Sequence, residues 1–278
     1  MCSISAGSTT YGDDFLTVRR VECKSALSIS RLPGLDWALN PYRGCSHSCA
    51  YCYAQDVTRF ELGSPWGEVV EAKINIVSKL ERELAKASGG VIGIGTVTDP
   101  YQPAEEDYRL TRSCLERIAH AGTRASILTK ADLILRDLDI LTRMDDVEVG
   151  VSIGICDESL ASVLEPRAPR PKKRFEVLRS MSENGIDAYL MAAPIIPGIA
   201  DSQESLRALI RNASAAGVKR VLWDRFNSKP MASARLSAAL AARNLPEPRL
   251  WTSHESEAAR RVLSTECEMR GIQLLDAF

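Results

Sequence analysis

The sequence predicts a single α/β unit built on a mainly parallel sheet, and three observations predict it. Six short apolar runs recur along the chain, each with the length and composition of a buried strand. Helical segments separate them, and such alternation calls for parallel strands joined by right-handed crossovers. Glycine closes several of those helices, at Gly89-Gly90, Gly185 and Gly217, where a left-handed residue is favoured. Periodicity alone allows either a doubly wound sheet or a partial barrel. At 278 residues the chain is long enough for one large core, and α/β barrels of this size are routinely single domains.

In order, residues 1–22 are rich in Ser, Thr, Gly and Asp without a sustained period and read as an irregular arm. A lead-in from Cys23 ends at the Pro33-Gly34 turn. Residues 35–39 form a candidate strand that feeds a cysteine-rich loop. From Glu68 to Ala87 the spacing of Val69, Ala72, Ile76, Leu80 and Leu84 predicts one helix. Residues 91–97 read as a strand. A helix follows near Pro103, with Glu105, Glu106 and Asp107 in its first turn, where the helix dipole favours anions. Strands at 125–128, 147–153, 186–193 and 218–223 then alternate with helices at 137–143, 173–184 and 202–216. The rest reads as helical. The expected layout is an arm and lead-in (1–34), a barrel-like unit (35–227) and a C-terminal helical segment packed on it (228–278).

With 35 Lys and Arg against 36 Asp and Glu, a formal net charge of −1 argues against coating nucleic acid by bulk electrostatics and leaves room for a local basic groove. No apolar run reaches the roughly 18 residues that span a bilayer. The N-terminus lacks a basic segment followed by an apolar one, so a cytoplasmic location is expected. Thiols stay reduced there, and the eight cysteines read as ligands, core residues or reactive groups.

Functional groups of parallel α/β folds gather beyond the strands' carboxyl ends. Polar residues collect there: Thr98 and Asp99 after the second strand, Thr129-Lys130 after the third and Ser152 on the fourth. The Pro197-Gly198 turn follows the fifth, and Asp224-Arg225-Phe226-Asn227 the sixth.

The loop at 40–55 reads Asn-Pro-Tyr-Arg-Gly-Cys-Ser-His-Ser-Cys-Ala-Tyr-Cys-Tyr-Ala-Gln. Cys45, Cys49 and Cys52 stand as C-x3-C-x2-C. Three thiolates from one loop are soft ligands for an iron–sulfur cluster or zinc. Structural zinc wants four ligands, usually with a second close-spaced pair, and none is present. His47 as the fourth would make a crowded chelate. A cubane cluster held by three cysteines leaves one iron open to a small molecule.

This motif, with Asn40-Pro41-Tyr42-Arg43-Gly44 before it and Tyr51 and Tyr53 flanking Cys52, resembles the radical S-adenosylmethionine (SAM) superfamily, in its spore photoproduct lyase-like branch. The resemblance spans roughly residues 24–227. It implies a partial (βα)6 TIM-type barrel with an N-terminal lead-in and C-terminal helices. It implies a 4Fe–4S cluster on Cys45, Cys49 and Cys52, and reductive SAM cleavage to a 5′-deoxyadenosyl radical that takes hydrogen from substrate. A flavodoxin- or ferredoxin-type reductant would supply the electron. Carried over by motif and strand end, Tyr51 borders the adenine, and Thr98 and Asp99 bond the methionyl amino group. Lys130 and Ser152 contact SAM, and Pro197-Gly198 flanks the adenine. The sequence departs from photoproduct lyases at Ile94-Gly95-Thr96-Val97-Thr98-Asp99, which lacks their hydrogen-returning thiol. Thymine-dimer repair itself is therefore not implied. Two other classes remain: a cluster- and SAM-binding methyl or sulfur transferase, and a non-catalytic metal-binding scaffold.

Cys156 is a candidate for the missing thiol. Along the fourth strand Gly150, Ser152, Gly154 and Cys156 share one face, opposite Val149, Val151, Ile153 and Ile155. This holds only if the strand runs past Gly154. Cys114 and Cys267 read as core thiols at helical spacing, and Cys2 and Cys23 have no evident partner. The basic run Arg167, Arg170, Lys172, Lys173 and Arg174 reads either as a solvated loop or as a rim contacting phosphate, on a nucleotide, nucleic acid or phosphorylated substrate.

Overall fold

The computed structural model describes residues 3–11, 16–58 and 65–277. The chain opens with β1 (Ser3–Tyr11) and β2 (Leu16–Glu22), an antiparallel pair. No period is visible in this stretch, yet Leu16, Val18 and Val21 are buried while Glu22 is exposed. The stretch 1–22 is thus strand rather than irregular arm within the described residues; Cys2 lies outside them. The short strands β3 (Leu27–Ile29), β4 (Trp37–Leu39) and β5 (Tyr42–Arg43) lead into the cysteine loop, which ends in α1 (Ala54–Thr58).

The helix expected from Glu68 divides into β6 (Val69–Lys73) and α2 (Ile76–Glu83), which runs on into a 3-10 turn at Leu84–Ala87. Asn75 marks the break. Its side chain accepts from the Cys23 N–H at 2.8 Å and donates to the Cys23 carbonyl at 3.0 Å, so it serves the lead-in rather than a helix. The Cys23 thiol also points at Asn75 Oδ1, 3.2 Å away. Val69, Val70, Glu71 and Ala72 are all buried, as in a strand covered on both faces. The apparent helical spacing arose from two elements in series.

Next come β7 (Val91–Ile94), α3 (Ala104–Tyr108), α4 (Leu110–His120), β8 (Arg124–Thr129), α5 (Leu138–Leu141), β9 (Val147–Ser152), α6 (Glu158–Leu164) and α7 (Pro171–Glu183). They are followed by β10 (Asp187–Ile195), α8 (Gln203–Ala215), β11 (Arg220–Arg225), α9 (Pro230–Ala241), α10 (Ser253–Glu268) and β12 (Gln273–Asp276). Glu105 does not face water in a first turn. It is buried, and its carboxylate accepts from Tyr42 Oη at 2.5 Å, the N–H of Thr111 at 2.9 Å and Arg136 Nη2 at 2.8 Å. It caps α4 from inside.

The strands form two sheets, ordered β1-β2-β6-β5 and β12-β11-β10-β9-β8-β7-β4-β3. In the larger one only β3 is antiparallel to its neighbour. The six strands read from sequence are present, and β12 is a seventh parallel strand from a segment expected to be helical. Its edges are β3 and β12, so the sheet stays open, short of a full barrel. On one face Ile127, Val149, Val151, Leu190 and Ala192 pack against the helices; on the other Tyr189, Met191, Leu128 and Leu222 form a separate inner cluster. A Cβ on Gly150 would lie 2.3 Å from the Tyr189 ring, which accounts for the missing side chain there. Cys114 and Cys267 are core thiols, as expected. No helix among the described residues is long and apolar enough to cross a membrane.

Candidate functional site

Residues at the carboxyl ends of β7, β8, β9, β10 and β11 border one cavity, together with Cys45, Cys49 and Cys52. Strands lie about 4.8 Å apart, so five flat ones would spread their ends over roughly 19 Å. Convergence on one cavity requires the sheet to curve, as in part of a barrel.

The cysteine loop is held by the protein's own bonds. Gln102 accepts from the Ser46 N–H at 2.9 Å and donates to the Gly44 carbonyl at 3.2 Å. The Ala50 N–H donates to the Leu164 carbonyl at 2.8 Å. Gly44 sits at φ 82°, which only glycine adopts without strain. Cys45 and Cys49 are buried and Cys52 half-buried. Burial pushes Cys49 up to about 12, and pushes Cys45 and Cys52 up as well. Loading a metal or cluster on these thiols would therefore release protons.

The donor set fits a cluster better than a single ion. Among the described residues no three His, Cys, Asp or Glu side chains are grouped to hold one metal ion, yet three thiols border the same space. In a cubane each thiolate takes a different iron, so the sulfurs stand apart. His47 is not turned into a fourth ligand. Its Nδ1 lies 3.4 Å from Asp99 Oδ2 and makes no hydrogen bond there.

Tyr51 Oη donates to Glu165, and Arg174 donates to the same carboxylate. All three side chains are buried. Burial pushes Glu165 up, but the Arg174 and Lys130 charges beside it hold its pKa below the usual range. Arg174 also donates to the Ser152 carbonyl at 3.1 Å. Lys130 Nζ donates to Ser152 Oγ at 2.8 Å and lies 5.6 Å from the Tyr51 ring centroid. Tyr51, Lys130 and Ser152 thus stand together on the cavity wall.

Thr98 and Asp99 also line the cavity, but their side chains are used within the protein. Thr98 Oγ1 donates to the Gly44 carbonyl at 2.6 Å. Asp99 accepts from Thr129 Oγ1 and the Lys130 N–H, both at 2.7 Å. Burial pushes Asp99 up, but His47 and these donors outweigh it and bring it to about 2.

Pro197, Gly198 and Cys156 stand apart from this group. Strand β9 ends at Ser152, and Cys156 lines a second cavity with Gly198. The alternation that would carry Cys156 to the cysteine loop stops four residues too early, and burial pushes its thiol up to about 12. Pro197 lines neither cavity; its carbonyl accepts from the Arg249 N–H at 3.1 Å. The basic run is divided. Arg174 is internal, whereas Arg167, Arg170 and Lys173 line a third cavity, which shares His47 with the first.

Sequence reasoning missed Glu165 and Arg235. Glu165 carries no local signal. Arg235 does: it is the one charged residue of α9. It donates to the Cys52 carbonyl and to Gln55.

The model of the Radical SAM superfamily matches residues 39–213. An uncharacterized protein of Methanocaldococcus jannaschii is 34% identical over 67% of this chain and 70% of its own length. One of Mycobacterium tuberculosis is 36% identical over 75% of this chain and 64% of its own. A Pseudomonas phage M6 protein named radical SAM Nalpha-GlyT isomerase is 23% identical over 66% of this chain and 38% of its own. Among solved structures, a spore photoproduct lyase complexed with dinucleoside spore photoproduct superposes with a TM-score of 0.71, covering 94% of this chain and 82% of that one. Its 15% identity makes that a likeness of fold. Streptococcus suis SuiB bound to S-adenosylmethionine gives 0.61 at 15% identity, over 86% of this chain and 49% of that one. A domain match over more than half of its length places this chain in the radical SAM superfamily, whose enzymes work with a 4Fe–4S cluster and S-adenosylmethionine.

Proposed function

We propose that Cys45, Cys49 and Cys52 hold the cluster and that Lys130, Ser152 and Tyr51 hold SAM beside it. The substrate is hydrogen-bearing and lies over the carboxyl ends of β10 and β11. The observation that carries this reading is the meeting of three thiols, one ammonium and five strand ends at a single cavity. When bound, cluster and SAM supply a 5′-deoxyadenosyl radical that abstracts a hydrogen atom from substrate.

The chain's own residues bind and orient. Lys130, already directed by Ser152, offers a point charge to a carboxylate. The Tyr51 ring, locked by Glu165, gives that carboxylate's neighbourhood a fixed wall. Because the Thr98 and Asp99 side chains are used internally, the main chain of 95–98 is left to meet the methionyl amino group. Met191, Leu128 and Phe226 exclude water from the inner wall.

A phosphate-bearing substrate, such as a nucleotide or nucleic acid, is supported by Arg167, Arg170 and Lys173 around the cavity that adjoins at His47. A cytoplasmic setting with a flavodoxin- or ferredoxin-type electron donor completes the proposal.

The test is anaerobic reconstitution with iron and sulfide, then reduction with SAM present. 5′-Deoxyadenosine is expected from the wild type and none from Cys49→Ala, which should also lose the cluster's visible absorption. A loaded wild type that yields only methylated product would point to the transferase class. A loaded, active Cys49→Ala would remove the ligand assignment.

A further inference from the structure

Helix α9 lies beyond the matched segment 39–213. A single charge on a small-residue helix ordinarily faces water. Arg235 turns the other way, donating to the Cys52 carbonyl and to Gln55, with its guanidinium 5.7 Å from the Trp66 ring centroid. Its Nε is buried without a partner, so water screens this charge poorly. Among the described residues no Asp or Glu pairs with it within 4.0 Å. Asp56 uses both carboxylate oxygens on the first turn of α9, accepting from the N–H groups of Met231 at 2.9 Å and Ala232 at 3.1 Å. That bond seats the helix and fixes where Arg235 reaches.

A half-buried cation with no carboxylate paired to it is costly. Cys52, whose carbonyl it holds, is one of the three thiol residues at the cavity. We infer that Arg235, supplied by a helix outside the common domain, sets the reduction potential of the cluster at Cys45, Cys49 and Cys52. This rests on the proposed cluster assignment. Reduction adds one electron, taken from an external one-electron donor, to a group already negative. A fixed positive charge at the Cys52 carbonyl favours that added charge, since net charge and local hydrogen bonding set cluster potentials. Removing it makes the cluster harder to reduce.

The experiment compares wild type, Arg235→Gln and Arg235→Lys, each reconstituted anaerobically, checked for iron content and far-UV circular dichroism, and titrated against redox mediators with detection by electron paramagnetic resonance. At a fixed potential, Arg235→Gln is expected to lower the reduced-to-oxidised ratio about tenfold, a shift of about 59 mV for one electron. Arg235→Lys keeps the charge and should stay within about threefold of wild type. If Arg235→Gln cannot hold iron, a loaded Arg235→Lys at the wild-type potential supports the inference. Loss of iron in both variants overturns it, because shape and not charge is then what matters. A loaded Arg235→Gln that titrates with the wild type also overturns it and leaves the cluster assignment standing. A wild type that takes up no cluster removes that assignment, and this inference with it.

Discussion

Lys130 shows how one side chain can be readable in role and not in setting. Its place after the third strand marks it as a cavity residue, but nothing in the sequence joins it to Ser152 and the Tyr51 ring. Lys130→Met should weaken SAM binding by roughly 10- to 100-fold, the worth of a charged hydrogen bond, while the cluster's absorption stays intact. Calorimetric titration of the reconstituted variant checks this, and wild-type affinity would give Lys130 a structural role. Gly95 makes the opposite case, a residue read only as part of a strand. It sits at φ +91°, and a Cβ there would lie 2.5 Å from the Leu128 carbonyl. Gly95→Ala should destabilise the fold by about 1–3 kcal/mol through strain and crowding. Urea unfolding measures it; an unchanged midpoint would mean that β8 yields. The three cysteines were legible because short-range spacing encodes them. Glu165 and Arg174 were not, because a buried pair is made by two elements whose meeting no local pattern records.

At the scale of elements, strands with both faces covered were the most legible, since their apolar runs need no phase. Misreadings fell where two short elements mimic one long one, as at β6 and α2, or where a strand is barely apolar. Strand β12 is such a case, with Gln273 and Asp276 at its ends. It is held by Trp223 Nε1 donating to Asp276 at 2.7 Å and by Arg260 on the same carboxylate. The lead-in before β3 is anchored by Glu83 of α2, which accepts from Ser25 Oγ at 2.8 Å and the N–H groups of Ala26 at 3.1 Å and Leu27 at 2.9 Å. Burial pushes Glu83 up, but these donors together outweigh it and lower its pKa. A lowered carboxylate contributes stability above its unfolded value, about 4.3, and loses it as pH falls through the folded value. Hydrogen exchange at Ala26 and Leu27 should therefore quicken in acid. Glu83→Gln should quicken it about three- to tenfold at neutral pH and abolish the acid dependence. Wild-type protection in that variant would place the anchor elsewhere.

For the whole molecule, alternation and glycine punctuation were enough for the parallel sheet; the family resemblance, and not periodicity, chose the curved form. The second sheet was invisible, because β5 is two residues long and β6 hid in a helical spacing. The cysteine loop is tied down by Gln102, Leu164 and Arg235 rather than by metal alone. Stripping iron with a chelator should therefore leave the far-UV spectrum unchanged and lower Tm by about 5–10 °C. Loss of secondary structure would show that the loop depends on its metal, as small zinc domains do. The contact between Arg235 and Cys52 also joins positions 183 residues apart. At about 5–20 residues per second, a ribosome needs roughly 10–40 s to pass from one to the other. For that interval the nascent chain presents its thiols without the helix that covers and charges their surroundings. Iron delivered during synthesis would meet an open, unfinished loop, so the finished site belongs to the completed chain.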